Sequence, residues 1–212
     1  MTIKALLWDL DGTLVDSEPV HERALVAALQ EVGLDPPEDM HARVIGKSAD
    51  AVYQWLCTCH ALTLSMADWG ALKLHHYMAD IDAVAPVTEA LRLWNAAAAL
   101  GVKQAVVSNS DRLIVNANLD RTRLTKPGFI SVTRNDVHLG KPNAEPYLRA
   151  ASLLDVEPAE CAVIEDSVTG ASAGLAAGMK TYLIQTQGSR ELNGTVALEQ
   201  YSELYHLLLK DQ

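Results

Sequence analysis

The chain has 212 residues, 49% of them hydrophobic and 21% charged, enough for one sizeable core with room for an inserted subdomain, and not a disordered composition. A formal net charge of −10 without a basic run argues against nucleic acid as a partner, because a diffuse acidic surface repels a phosphate backbone. Small phosphate esters stay open, since a few focused donors and a divalent cation in a cleft outweigh a diffuse field. Cys57, Cys59 and Cys161 form no disulfide ladder, and Cys57-Thr58-Cys59 lacks the second pair that a zinc site needs. The apolar run at the N-terminus is too short for a signal peptide, and no stretch approaches the ~20 apolar residues of a membrane span. The expectation is a reduced, cytoplasmic protein with no membrane partner, and small size suggests a monomer.

In chain order, Ile3 to Trp8 is a short apolar run that stops at Asp9, with Gly12 close behind: a buried strand feeding a loop. From Glu18 to Val32 the residues Leu25, Ala28, Leu29 and Val32 recur at helical spacing, and Gly33 supplies a stop. Pro36-Pro37 breaks the chain, and Ala51 to His60 and Trp69 to Ala79 read as further helices. No convincing strand occurs from about Asp16 to Val84. After Pro86 the pattern changes: Val87 to Leu100 is an Ala/Leu-rich helix ended by Gly101, and Gln104 to Val107 is a strand running into Ser108-Asn109-Ser110. Phe129 to Val132, Cys161 to Ile164 and Thr181 to Ile184 read as strands, with helices at Glu145 to Leu154 and Val168 to Ala177. Such alternation predicts an α/β fold, a Rossmann-like doubly wound parallel sheet built from residues 1–15 and 85–212, with an all-α insert over 16–84.

Four strand ends or following loops carry groups suited to one chemistry. In Asp9-Leu10-Asp11-Gly12-Thr13, Asp9 can present a carboxylate oxygen to phosphorus, and Asp11 lies within reach of the leaving-group oxygen as general acid. Gly12 permits a tight turn beside the phosphoryl group. Asp and Gly are also ordinary loop residues, so the segment alone favours function only slightly over a polar turn. Ser108 offers a hydroxyl and Asn109 a backbone N–H to phosphate oxygens, although either could cap a helix. Gly140-Lys141-Pro142 puts an ammonium in a loop opening a helix, where it could neutralise nucleophile and transferring group; taken alone it reads as a surface lysine. Glu165-Asp166 are adjacent acids directly after a strand, and a hard divalent cation such as magnesium would resolve their repulsion. Helix capping by Asp166 or Ser167 is compatible with that role.

These positions, in this order, resemble the haloacid dehalogenase superfamily. The resemblance implies Asp9 as nucleophile, Asp11 as acid/base, Ser108 and Lys141 as phosphate clamp, and Glu165 and Asp166 as the magnesium pair, joined by Asp9 and the backbone carbonyl of Asp11. Gly12, Thr13 and Asn109 would complete the phosphate site. The helical insert is similar to the cap of the subgroup containing β-phosphoglucomutase and many small phosphatases, including Leu14-Val15-Asp16-Ser17-Glu18 leading into a helix with His21. Gly46-Lys47-Ser48 looks like that cap's specificity loop, so Ser17, His21 and Lys47 are substrate candidates, with a solvated Lys47 an even alternative. Trp55, Trp69, Trp94 and His75-His76 are assigned to packing and surface roles.

Two departures stand out. The family usually has Pro-Gly where the chain re-enters the core, whereas Pro86 here precedes Val87. Mutases of the subgroup carry an arginine shortly after the cap glycine, and the run here is Gly46-Lys47-Ser48-Ala49. The expected activity is magnesium-dependent hydrolysis of a small phosphate monoester, a sugar phosphate or phospho-acid, through an aspartyl-phosphate. A sugar-phosphate mutase and a non-catalytic binding protein on the same fold are the alternatives.

Overall fold

The computed structural model describes residues 3–44, 47–125, 128–185 and 192–210, with side chains in the last stretch to 205. The chain divides into two compact units, Met1–Asp16 with Ala85–Gln212, and Ser17–Val84. It begins with β1 (Ala5–Trp8) and the short β2 (Val15–Asp16), then enters the helices α1 (Glu18–Glu31), α2 (Met40–Val44), α3 (Ala49–Cys59) and α4 (Met66–Ala79). It returns through β3 (Ala85–Pro86), α5 (Thr88–Ala99), β4 (Lys103–Val107), α6 (Arg112–Thr122), β5 (Ile130–Val132) and α7 (Glu145–Leu154). The last elements are β6 (Cys161–Glu165), α8 (Val168–Ala176), β7 (Lys180–Ile184), β8 (Val196–Leu198) and α9 (Tyr201–Lys210).

In the helical unit, Leu25, Ala28 and Leu29 of α1 pack with Met40, Leu56, Leu62 and Trp69 in one apolar cluster. The periodicity of α1 put these residues on one stripe, and burying that stripe stabilises a helix more than its propensity does. Serine caps explain why two helices start earlier than apolar spacing suggests. Ser48 accepts from the Ala51 N–H at 3.2 Å, and Ser65 from the Asp68 N–H at 3.1 Å, so α3 begins at Ala49 and α4 at Met66.

In the other unit, six strands form a parallel sheet in the order β5-β4-β1-β6-β7-β8. All four residues of β1 are buried, as a central strand covered on both faces requires. On one face Ala5, Leu7, Ala105, Val107 and Val163 pack against Tyr147, Ala150 and Ala151 of α7 and Ala173 of α8. On the other, Trp8 meets Trp94 of α5 with ring centroids 5.7 Å apart. This is the Rossmann-like α/β core. The chain runs from β1 to β4 and β5 on one side, then crosses to β6 and beyond. The C-terminal ends of β1, β4 and β6 therefore meet at a topological switch point, where open α/β sheets bind ligands.

Several elements were not visible in the pattern: α2, α6, β8, α9 and the β2–β3 pair, in which Val15 faces Pro86 and Asp16 faces Ala85 in antiparallel fashion. The glycine missing after Pro86 is not needed. Val87 has φ −76° and ψ 100°, ordinary extended backbone, and its N–H donates to the Leu14 carbonyl at 2.9 Å.

Candidate active site

The loop after β1 is held in place by its own backbone. The Asp9 N–H donates to the Ile164 carbonyl at 2.9 Å, continuing the β1–β6 ladder. The Leu10 carbonyl accepts from Leu14 at 2.8 Å and Val15 at 3.0 Å, and Gly12 donates to Val15 at 2.8 Å. Gly12 is required twice over: its φ is +85°, and a Cβ there would collide with the Asp166 carboxylate. Thr13 Oγ1 donates to Asp166 Oδ1 at 3.3 Å, and the Thr13 carbonyl accepts from the Tyr201 hydroxyl of α9 at 2.8 Å.

Lys141 is not a surface lysine; its side chain is only 3% exposed. Its ammonium donates to Asp9 Oδ1 at 2.6 Å, Glu165 Oε1 at 2.6 Å and the Val107 carbonyl at 2.7 Å, which uses all three N–H donors. The Asn109 amide fixes the Lys141 backbone on both sides, accepting from its N–H at 2.8 Å and donating to its carbonyl at 3.0 Å. Glu165 is fully buried beneath. Its Oε1 also accepts from the Tyr147 hydroxyl at 2.7 Å, and its Oε2 from Ser167 Oγ at 2.9 Å, in space left by the missing side chain of Gly170. Ser167 also caps α8, accepting from the Gly170 N–H at 3.0 Å.

Burial, and next the charge of Glu165, push the Asp9 carboxyl well above the usual carboxylate range, against the opposing pull of Lys141. For Lys141, burial alone would weaken the ammonium, but Asp9 and Glu165 outweigh it and the net shift is upward. Asp9, Glu165 and Asp166 bring carboxylate oxygens within 4.8 Å of one another, an all-oxygen donor set.

Asp11 faces a different kind of neighbour. Its Oδ2 accepts from Ser110 Oγ at 2.9 Å and Ser108 Oγ at 3.2 Å, and its Oδ1 accepts from Asn118 Nδ2 of α6 at 2.9 Å. Ser110, Asn118, Tyr147 and Tyr201 carried no motif in the sequence, and because α6 left no readable period nothing marked Asn118 as buried.

The remaining candidates belong to the helical unit. The carbonyl of buried Ser17 accepts the His21 N–H at 3.0 Å as α1 begins, and the His21 ring packs against Tyr77 of α4 with centroids 4.4 Å apart. Lys47 is exposed, and Gly46 lies outside the described residues.

The haloacid dehalogenase-like hydrolase family model matches residues 3–178. Hexitol phosphatase A of Escherichia coli is 33% identical over 178 residues, covering 84% of this chain and 81% of that protein. A β-phosphoglucomutase of Mycobacterium tuberculosis is 30% identical over 206 residues, covering 82% and 78%. Among solved structures, a HAD family hydrolase of Deinococcus radiodurans with bound phosphate and sodium matches with TM-score 0.76 at 30% identity, over 99% of this chain and 96% of that one. The chain belongs to the haloacid dehalogenase-like hydrolases, in their β-phosphoglucomutase-like subgroup. Its enzyme class is that of the family's phosphatases. No helix among the described residues is long and apolar enough to cross a membrane.

Proposed function

We propose that the protein is a magnesium-dependent phosphatase that hydrolyses a small phosphorylated metabolite, a sugar phosphate or phospho-acid monoester, through an aspartyl-phosphate on Asp9. The observation that carries this reading is the buried cluster in which one ammonium, Lys141, meets Asp9 and Glu165 at 2.6 Å each, with Asp166 beside them. Three carboxylates against one ammonium leave an excess of negative charge, which adds to burial in raising the proton affinity of Asp9. A hard divalent cation fits this donor set and this imbalance. Asp9 and Asp166 would hold it with the backbone carbonyl of Asp11, while Glu165 adds charge from behind, its oxygens already engaged by Lys141, Tyr147 and Ser167. When bound, magnesium supplies charge neutralisation at the phosphoryl oxygens.

In the first step Asp9 attacks phosphorus as the ester P–O bond breaks, and Asp11 gives its proton to the departing oxygen. In the second, Asp11 takes a proton from water as the water oxygen attacks phosphorus, releasing inorganic phosphate and restoring Asp9. The Asn109 N–H would hold a phosphoryl oxygen, and Ser108 and Lys141 would join it by turning one donor each from Asp11 and Asp9 to the phosphoryl group, with Gly12 and Thr13 shaping the loop. The helical unit supplies Ser17, His21 and Lys47 as candidates for reading the organic part of the substrate. The likeness to β-phosphoglucomutase favours a sugar-phosphate mutase as second reading; the absence of arginine in Lys47-Ser48-Ala49 weighs against it.

A panel of sugar phosphates, phosphoglycolate and phosphogluconate, assayed with magnesium for both phosphate release and isomerisation, separates the two. EDTA and Asp9→Asn are each expected to lower phosphate release by ~10⁴-fold or more. Activity surviving in Asp9→Asn overturns the mechanism, and isomer without free phosphate establishes the mutase.

A further inference from the structure

The core-facing stripe of α6 reads Ile114, Val115, Asn118, Leu119 and Thr122, all buried, with Asn118 at 0% exposure. An asparagine in that place is locally unfavourable. It forms helix less readily than leucine, and a buried amide costs free energy unless it is hydrogen-bonded. Conflicts of this kind between local preference and fold mark sites retained for another reason. The amide reaches Asp11: Nδ2 donates to Oδ1 at 2.9 Å across 107 positions of sequence. Ser110 and Ser108, at the turn between β4 and α6, take the other oxygen at 2.9 and 3.2 Å. Donors on both oxygens fix the rotation of the carboxyl plane, and they do so without bringing another charge into a crowded acidic site.

We propose that Asn118 is a positioning residue that aims the Asp11 carboxyl for proton delivery to the leaving group, an assignment that rests on the phosphatase reading above. Its effect depends on how much the leaving group needs a proton. p-Nitrophenolate departs as a stable anion, whereas phenolate of nearly the same shape needs the proton far more. A misaimed Asp11 therefore slows phenyl phosphate selectively, and a purely structural defect slows both esters alike.

The test compares kcat and KM for p-nitrophenyl phosphate and phenyl phosphate, with magnesium, in the wild type, Asn118→Leu, Asn118→Ala and Asp11→Asn. Leucine continues the apolar stripe of α6, so Asn118→Leu is expected to melt at or above the wild-type temperature. In both Asn118 variants kcat for phenyl phosphate should fall ~10-fold with KM unchanged, and for p-nitrophenyl phosphate less than ~3-fold, a share of the ~10²-fold or larger effect of general acid catalysis. Asp11→Asn should show the same selectivity more strongly. Equal losses on both esters, no loss, or unfolding of both Asn118 variants overturns the inference while a selective Asp11→Asn leaves the phosphatase reading standing. Loss of selectivity in Asp11→Asn itself overturns that reading.

Discussion

Asp9 and Asp11 leave the same loop into surroundings of opposite kind. Asp9 points into a largely buried, charged cluster with Lys141, Glu165 and Asp166, where burial and like charge work against its ionisation and a single ammonium works for it. Asp11 accepts from two hydroxyls and an amide, donors that carry no charge. Two identical side chains are thus prepared for different work by what surrounds them: one held where charge must be neutralised from outside, the other aimed by hydrogen bonds. The difference is made by strand ends and helices far away in sequence, not by the loop itself.

The charged side breaks most heavily at its cation. Lys141→Met leaves Asp9 and Glu165 facing each other in a buried site, and unpairing a buried charge cluster costs about 3–5 kcal/mol, to be read from urea denaturation. Added magnesium is expected to return part of that stability. Tyr147→Phe removes the hydroxyl donated to Glu165 at 2.7 Å and should cost about 1–3 kcal/mol by the same measurement, with phosphate release reduced less than in Lys141→Met.

The smallest effect has the opposite sign. A carboxyl whose pKa is raised by folding contributes stability below its unfolded value, near 4, and loses it as pH climbs through the folded value, so ionised Asp9 costs the folded state at neutral pH. In EDTA, Asp9→Asn is therefore expected to be more stable than wild type by about 1 kcal/mol at pH 7, with the gain vanishing near pH 4. An Asp9→Asn protein that is less stable at pH 7 would mean that the Lys141 pair dominates the cluster.

The strand ends were legible because fully buried parallel strands are continuous apolar runs, and each stops abruptly at a polar residue: Trp8 at Asp9, Val107 at Ser108. Glu165 departs from that pattern, a charged residue inside β6 that is tolerated because Lys141, Tyr147 and Ser167 meet it. Helix α6 was not legible because its outer face and its core stripe both carry polar residues, Asn116, Asp120 and Arg121 on one side and Asn118 on the other, which erases the 3.6-residue period. β2, β3 and β8 are too short to hold an alternation. Tyr147 and Tyr201 drew no reading from the sequence because nothing local distinguishes a tyrosine whose hydroxyl meets a catalytic loop from one that merely packs. Their partners lie 18 and 188 positions away.

Tyr201 also ties the site to the order in which the protein is made. The loop bearing Asp9 is made before the elements that hold it: β1 finds its neighbours only when β4 and then β6 have followed, and its Thr13 carbonyl is held by a hydroxyl 188 positions further on. Such long-range pairing makes for slow folding. A growing chain thus carries both aspartates long before it can use them, and translation halted before α9 would yield a product with every reactive side chain in place and the loop beneath them unpinned.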